Sequence, residues 1–496
     1  MRGFVFRGNT VIDSADLSAA LEPYRQRPLD FSEMEALTAV LSAAYRARGY
    51  VASATLPAQD VSDGVLTLVV VEAVRGQLVL DAGPPVRTAV ERVTGIIDRQ
   101  LRQGDILRID ALERALLIAS DLPGLAVSGA LAEGTSPGQS DLVLSLTDKA
   151  VVSGDVALDN TGGASTGTDH LGVNLYGNSV LGQSELWSVN LSLNQGSSYS
   201  RLGLTFPVGY GGLRLGINGS HLDYRVLSSD YSRLELHGSS GVWGLEAVLP
   251  LLRTQYHNLY LSAAVDDKRF VNYSASTVAS QYSSQAVVWS LYGNRYDDLA
   301  GGGATSANLA LVQGHLNLDA SPNRTADALS TQTAGDYRKL RFGAGRQQSM
   351  GANVVLSVQV SGQWTDQNLD SSEKFSLGGS AGVRAYPGGE ALGAMGRMAS
   401  AELRWRVSDA LGLSAFYDAG SITVNPRNDY SGASALNSYG LDGAGLAMVW
   451  QGDGGFTFKL TWARRLGDNP NPTSTGRDQD GTFVRDRLWA SALVAF

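Results

Sequence analysis

From Ala150 to Phe496 the chain alternates apolar and polar residues with a period of two, and helical spacing is absent from that whole span. Alternation of this kind sends successive side chains to opposite faces, so it specifies strands with one apolar and one polar face. Phe456, Phe458, Leu460 and Trp462 share one face, while Thr457, Lys459 and Thr461 share the other. Ala399, Ala401, Leu403, Trp405 and Val407 alternate with Ser400, Glu402, Arg404 and Arg406. Trp187, Val189, Leu191 and Leu193 alternate with Ser188, Asn190, Ser192 and Asn194. A soluble sandwich alternates too, but an apolar face so rich in Trp and Tyr suits the aromatic girdles of a membrane β-barrel. The mean hydropathy near zero agrees, because a barrel needs only alternate residues to be apolar. No stretch approaches the roughly eighteen unbroken apolar residues of a membrane helix.

About sixteen alternating segments are present, near the middle of the range for single-chain barrels. They begin near Val151, His170, Glu185, Ser200, Leu213, Glu235, Asn258, Gln285, Ala304, Gly335, Ala352, Met395, Leu411, Tyr439, Gly455 and Arg485. Connections after even-numbered segments are short, as at Pro207–Gly212, Ser349–Gly351 and Gln451–Gly454. Those after odd-numbered segments are usually longer, as at Asn317–Ala334, Asp366–Ala394 and Gly467–Val484. Short periplasmic turns and long outer loops are the asymmetry of outer-membrane barrels, so both ends of the barrel segment are expected on the periplasmic side. The last strand supports this: Leu488, Ala490, Ala492, Val494 and Phe496 alternate up to a terminal aromatic.

Residues before Ala150 read differently, as two similar α/β units of about seventy-five residues, an ordinary small-domain size. In the first, Arg2–Phe6 is a strand and Asp13-Ser14 can cap a helix through Leu21. Ser32-x-x-Glu35 reads as a capping box with Phe31 as hydrophobic staple, and Met34, Leu37, Leu41 and Tyr45 recur at helical spacing up to Gly49. Strands Ala52–Leu56 and Val65–Glu72 follow. In the second, Gln77–Leu80 is a strand, Val86–Leu101 a helix, and Asp110-x-x-Glu113 caps another helix with Ile109 as staple. Strands Leu125–Leu131 and Asp141–Leu146 end the unit, making a β-α-α-β-β order that occurs twice.

Several function classes are disfavoured. The net charge is −9 with both signs scattered, whereas nucleic acid binding needs clustered basic surface. There is no cysteine, which removes disulfides, thiolate metal sites and cysteine nucleophiles. The five histidines show no metal-ligand spacing, so no metal and no cofactor are expected. Gly301-Gly302-Gly303 is not followed by the helix and Gly-Lys-Ser/Thr of a phosphate loop, and no nucleophile motif is present, so no enzyme is expected. The run MRGFVFRGNTV lacks the apolar core and cleavage site of a secretory signal; an exported form is expected to have its signal already removed.

One stretch breaks the alternation. Phe375–Gly396 is Gly-rich, nearly free of helix or strand signal, and carries Arg384 near its middle. A long structureless loop in a compact domain is usually functional. Parity makes it the sixth outer loop, at about 366–394, and a lumen of this strand number is wide enough to need control. Along Leu411–Gly420, Leu413, Ala415 and Tyr417 are expected to face lipid, which turns Ser414, Phe416 and Asp418 inward. An Arg384–Asp418 pair would then form bidentate, charge-assisted hydrogen bonds. Residue types alone leave open that Arg384 is solvated on an outer loop and that Asp418 is an ordinary lumen charge. Glu402, Arg404, Arg406, Lys339 and Arg341 also point inward, where they either line a polypeptide path or solvate a wet lumen.

The loop text GGSAGVRAYPGGEALG resembles the VRG(F/Y) loop of the POTRA-plus-barrel superfamily of outer-membrane insertases and secretion pores. Phe416-Tyr-Asp-Ala-Gly420 resembles that superfamily's F-x-D-x-G strand motif. The resemblance implies that Arg384 pairs with Asp418 in the lumen, and marks Gly382, Val383, Tyr386, Phe416 and Gly420 as motif residues; Ala385 stands where the family has Gly. FRGNTVIDSADL, YRARGYVASATLPAQDVSDGVLTLVVVEA and LERALLIASDLPGLAVSGALAEGTSPGQSDLVL are similar to the two POTRA modules of two-partner secretion transporters, the TpsB family. That family often carries a plug helix before the first module, and plugging by such a helix is not expected here from the residues before Arg2. The resemblance implies POTRA domains at 1–75 and 76–149 in the periplasm, followed by a barrel of about sixteen strands at 150–496 in the bacterial outer membrane. It further implies a monomeric translocator that captures an unfolded exoprotein client of the TpsA kind, a β-helical adhesin, cytolysin or toxin, and passes it to the cell surface. An insertase of the same superfamily and a passive porin are the alternatives; the modules at 1–149 weigh against the porin.

Overall fold

The computed structural model describes residues 1–81, 83, 86–227 and 229–496. Its first unit runs β1 (Gly3–Arg7), α1 (Ser14–Ala20), α2 (Phe31–Ala47), β2 (Ala52–Thr55) and β3 (Val65–Glu72). β3 is the central strand, parallel to β1 and antiparallel to β2, which leaves β1 and β2 as sheet edges. Leu17, Leu37, Leu41 and Tyr45 from the helices meet Leu66, Leu68 and Val70 of β3 in one core. The second unit repeats the order with β4 (Val74–Leu80), α3 (Val90–Gln100), α4 (Ile109–Ser120), β5 (Leu125–Glu133) and β6 (Gln139–Asp148). Here β6 is central, parallel to β4 and antiparallel to β5.

Three local expectations are corrected. α2 is capped by Asp30, whose side chain accepts from the Glu33 amide while Glu33 reaches back to the Asp30 amide. Ser32 and Phe31 therefore lie inside the helix, and Phe31 is exposed rather than acting as a staple. The capping pattern occurs in two overlapping registers, D-x-x-E and S-x-x-E, and the earlier one wins. α4 starts at Ile109 itself, with Arg108 at the cap position and no side-chain cap. α3 begins at Val90, later than its apolar run suggested.

From residue 150 the chain forms one closed antiparallel barrel of sixteen strands among the described residues. The first eight are β7 (Val152–Asp159), β8 (His170–Asn178), β9 (Leu186–Leu193), β10 (Ser197–Val208), β11 (Leu213–Arg225), β12 (His237–Arg253), β13 (His257–Ser274) and β14 (Thr277–Asp297). Then come β15 (Gly303–Asn317), β16 (Gly335–Ser349) and β17 (Val354–Trp364). Inside the connection that follows, β18 (Phe375–Ser376) and β19 (Leu392–Gly393) pair as a two-stranded ribbon of their own. The barrel resumes with β20 (Met395–Arg406), β21 (Leu411–Thr423), β22 (Ser438–Gln451), β23 (Phe456–Arg465) and β24 (Asp486–Ala495). β24 closes on β7 over Ser491–Ala495 and Asp155–Asp159, and Asn160 extends the seam by bonding the backbone of Leu488 and Ala490.

Most strands start within a few residues of the alternation boundaries. β14 is the exception: it begins at Thr277, well before Gln285, because the weak alternation of TVASQYSS does not reveal its first residues. Two outer connections, 194–196 and 275–276, are as short as the periplasmic turns. Of the eight tryptophans, seven project from the outside of the wall, where a bilayer rather than water has to cover them. Trp489 alone is buried on the inner side. Among the described residues no helix is long and apolar enough to cross a membrane, which leaves the strands to do so.

The second α/β unit docks on the short-turn end of the barrel. Arg253 grips Asp121 with two bonds of 2.9 and 2.8 Å. Arg114 donates to the Pro250 carbonyl at 2.9 Å, and the ring of Tyr210 packs against Gly95, where a Cβ would come within 2.5 Å of it. These contacts fix the second unit on the same side as the two ends of the barrel segment, and the first unit is joined to it by backbone bonds from Val51 to Leu107 and from Ile109 to Gly49.

Candidate functional site

The connection between β17 and β20 does not project away from the barrel. It folds back so that Leu377, Val383, Ala385, Tyr386 and Ala391 are buried in one apolar cluster with Phe416, Leu441, Ala447 and Ala463 of the inner wall. Glycine makes that approach feasible. A Cβ on Gly382 would lie 2.0 Å from the Leu377 carbonyl oxygen, and one on Gly443 would lie 2.5 Å from the Ala385 methyl. Gly420 is covered by the Leu377 side chain in the same way. Ala385 is accommodated because its methyl occupies the space that Gly443 on β22 leaves free, and its φ is not in the left-handed region that would demand Gly.

At the tip Arg384 is 8% exposed and Asp418 is 1% exposed. Arg384 donates from Nε to Asp418 Oδ2 and from Nη2 to Oδ1, both at 2.8 Å, and its own backbone N–H adds a third bond at 3.2 Å. This is the planar fork-on-carboxylate geometry that arginine alone supplies. Nη1 reaches Glu402 at 2.8 Å. The guanidinium carbon stands 3.3 Å from the centre of the Phe416 ring, a cation–π contact. Strand register explains the grouping: Ser400 sits opposite Asp418, and Glu402 opposite Phe416, across β20 and β21. Ser400 Oγ donates to Asp418 at 2.7 Å, filling a remaining lone pair.

Other inward residues fall into two groups. Lys339 is buried and pairs with Glu373 at 2.8 Å at the root of the same loop. Arg404 pairs with Glu402 at 2.9 Å but stays half-exposed, Arg406 touches only the Ala352 and Asn353 backbone or side chain at 3.3–3.4 Å, and Arg341 is exposed. The wall thus hands Glu402 and Lys339 to the loop, while Arg341, Arg404 and Arg406 stay exposed to the lumen. Val383 and Tyr386 are buried beside Arg384, with the Arg465 guanidinium 4.6 Å from the Tyr386 ring. Among the described residues no cluster of His, Cys, Asp and Glu is arranged to hold a metal.

Sequence reasoning missed three partners. Trp489 Nε1 donates to the Arg384 carbonyl at 2.8 Å; the signal was there, since this indole is out of phase with Leu488 and Ala490 on the lipid face. Glu373 is held by Lys268 and Lys339, each at 2.8 Å. Glu390, fully buried, is held by Asn469 and the Gln479 amide. The last two carried no sequence signal, being single acids in a polar loop.

With this geometry in place, comparison with known proteins is informative. A sequence profile of the haemolysin secretion/activation proteins ShlB/FhaC/HecB matches residues 138–445, and one of the ShlB-type POTRA domain matches residues 1–73. The heme/hemopexin transporter protein HuxB of Haemophilus influenzae is 22% identical over 502 residues, spanning 99% of this chain and 86% of its own length. The outer membrane transporter CdiB of Dickeya dadantii is 24% identical over 473 residues, spanning 93% and 80%. The solved structure of CdiB from Escherichia coli superposes with a TM-score of 0.76 at 21% identity, covering 100% of this chain and 90% of that one. At that identity the likeness is one of fold.

Proposed function

The chain belongs to the ShlB/FhaC/HecB family of haemolysin secretion/activation proteins, and from that premise we propose that it secretes a partner exoprotein through its barrel while the loop tip at Arg384 holds the resting lumen closed. The barrel lies in the outer membrane, with the POTRA units in the periplasm. The observation that carries the reading is the buried loop: a segment pinned across the lumen by Arg384, Asp418 and Glu402 is a closure that a passing polypeptide has to displace. A passive porin has no use for two α/β units, the second of them docked on its periplasmic turns.

Residues 1–75 and 76–149 act as the capture modules in this reading, and 150–496 as the pore. The client is a protein chain of the kind its relatives export, arriving unfolded. It adds as an extra strand to the open edge at β2, beside α2, where main-chain bonds give affinity without demanding one sequence. Motif residues Gly382, Val383, Tyr386, Phe416 and Gly420 shape the seat of the tip, and Arg341, Arg404 and Arg406 line the path once it opens. One chain completes the barrel by pairing β24 with β7, which supports a monomer as the working unit in this reading.

The test is client appearance outside cells with and without this protein, the client being the exoprotein encoded beside it. Lysines at Ser53 and Thr55, both on the exposed face of β2, are expected to reduce secretion while the barrel still assembles. Secretion at the parental rate from that variant sinks capture at β2; absence of any client outside cells carrying the parent protein sinks the translocator reading itself.

A further inference from the structure

Glu390 lies on the return limb of the lumen loop, six residues beyond Arg384, and is 0% exposed. Its two carboxylate oxygens are met by the Asn469 side-chain amide at 2.9 Å and by the Gln479 backbone N–H at 2.8 Å. Glu390 has no ion-pair partner among the described residues. A buried carboxylate without a cation is expensive unless its hydrogen bonds are complete, and both of these donors come from one element, the last outer connection at 466–485. That connection is itself locked down. Asp478, 1% exposed, takes two bonds from Arg465 at 3.1 and 2.6 Å, and Asn469 donates to it at 2.9 Å. Asn469 therefore bridges the two carboxylates, one from each loop.

We propose that the outer connection 466–485 is the latch of the lumen loop, gripping Glu390 through Asn469 and Gln479 so that the loop leaves the lumen only when this connection lifts. The reasoning is energetic. If the lumen loop moved alone, Glu390 would drag a charge out of its two bonds, and Asn469 would lose one of its acceptors. If 466–485 lifted first, Glu390 would be left buried and bare, which expels the return limb. The latch is distinct from the ion cluster at the Arg384 tip: that cluster is made with β20 and β21, whereas the latch is an outer loop carried on β23 and β24, the strands from which Arg465 and Trp489 also touch the tip. A signal arriving from outside, or from the last strands of the barrel, thus reaches the closure without touching Asp418.

This inference rests on the reading of the loop as a closure, and its test needs no client. The purified full-length protein is reconstituted in planar bilayers and its conductance recorded. Glu390→Ala and Asp478→Asn are each expected to raise the open fraction about tenfold, the double variant no further than the larger single one, because both act through one contact. The chain has no native cysteine, so Glu390→Cys with Asn469→Cys can be joined by a short reducible bis-thiol linker. Joined protein is expected to stay closed, and to regain openings on reduction. Unchanged conductance in both single variants, fully additive effects, or parental openings in the joined protein each overturn the latch. The linker arm uses folded protein, so it decides the matter even if an alanine variant fails to assemble. A latch that works in protein that secretes no client would refute the translocator reading and leave the latch standing.

Discussion

The lumen loop is fastened at its tip and at its root by ion clusters of opposite design. At the tip one cation, Arg384, is shared by two carboxylates of the wall, Asp418 and Glu402. At the root one carboxylate, Glu373, is shared by two ammonium groups of the wall, Lys268 and Lys339, and its carbonyl also accepts from Lys339 and Gln363 at 2.7 and 2.9 Å. Glu373 is 4% exposed and as deeply buried as its counterpart. The tip depends on shape, because a planar fork lies flat on a carboxylate and above the Phe416 ring. The root depends on charge, because each ammonium is a point donor with a flexible stem. The two clusters sit on different walls, β20–β21 for the tip and β13–β16 for the root, so the loop spans the lumen between them. A loop held this way resists casual displacement, yet each end yields to a different kind of perturbation.

Breaking the tip has the largest expected effect. Arg384→Ala strands Asp418 as a buried, uncompensated carboxylate and leaves Glu402 with Arg404 alone, at a cost of about 3–5 kcal/mol. Client secretion is expected to fall at least about tenfold, and Asp418→Ala to behave alike, the double being no worse than either if the pair is direct. Client protein in the medium, beside a gel-shift assay for folded barrel, reads this; additive losses would argue against a direct pair. Arg384→Lys keeps the charge and loses the fork, so it should be impaired, while Lys339→Arg at the root should secrete near the parental level. Equal tolerance at both sites would dissolve the contrast between shape and charge.

Glu373→Ala comes next. It leaves two lysines facing each other, but Lys268 is partly exposed and can turn to water. A loss of about 2 kcal/mol is expected, read as a lower temperature for loss of the folded band. Smaller again is a steric test of the seat. Gly443→Ala should cost about 1 kcal/mol by overpacking against the Ala385 methyl, and Ala385→Gly added to it should restore secretion. Failure of that rescue would mean the tip seats somewhere other than against β22.

The smallest effect belongs to a carboxylate held by no cation at all. In the first periplasmic unit, Glu72 accepts from the Thr10 hydroxyl, from the amides of Thr10 and Val11 at 2.7 and 3.0 Å, and from the Tyr45 hydroxyl at 2.7 Å. Burial works against its charged form, and these donors outweigh burial, so its pKa lies below the ordinary carboxylate value. A depressed folded value means the stabilisation is full above the unfolded pKa of about 4.3 and is lost as pH falls through the folded value. Hydrogen exchange across β3, followed from neutral pH to below 4, should show protection falling in that window, and Glu72→Gln should flatten the fall.

Much of this molecule was legible in the linear text. Alternation marked all sixteen barrel strands, because each spans an apolar bilayer on one side and a polar lumen on the other, and that requirement is written residue by residue. It also told Asp418 from Tyr417. The helices of the α/β units were visible from spacing, although their first turns were misplaced at Phe31 and Ile109, where two capping registers compete or none is used. Trp489 was readable in principle, as a large aromatic in the polar phase of a strand.

The charges that fasten the loop were not legible in the same way. Glu373, Glu390, Lys268 and Lys339 are ordinary polar residues in a chain with 48 acids and 39 bases. Which of them meet depends on how the loop crosses the lumen and on how the strands stagger around it, and neither is encoded by local periodicity. The sequence by itself determined a period-two wall, its strand number, the side on which its ends lie, and a Gly-rich segment that could not be a strand. Only the tertiary structure decided that this segment turns inward, that Ala385 fits because Gly443 is bare, and that a second outer loop closes over Glu390. Local alternation is set by what each face touches, whereas a buried ion pair is set by distances across the barrel.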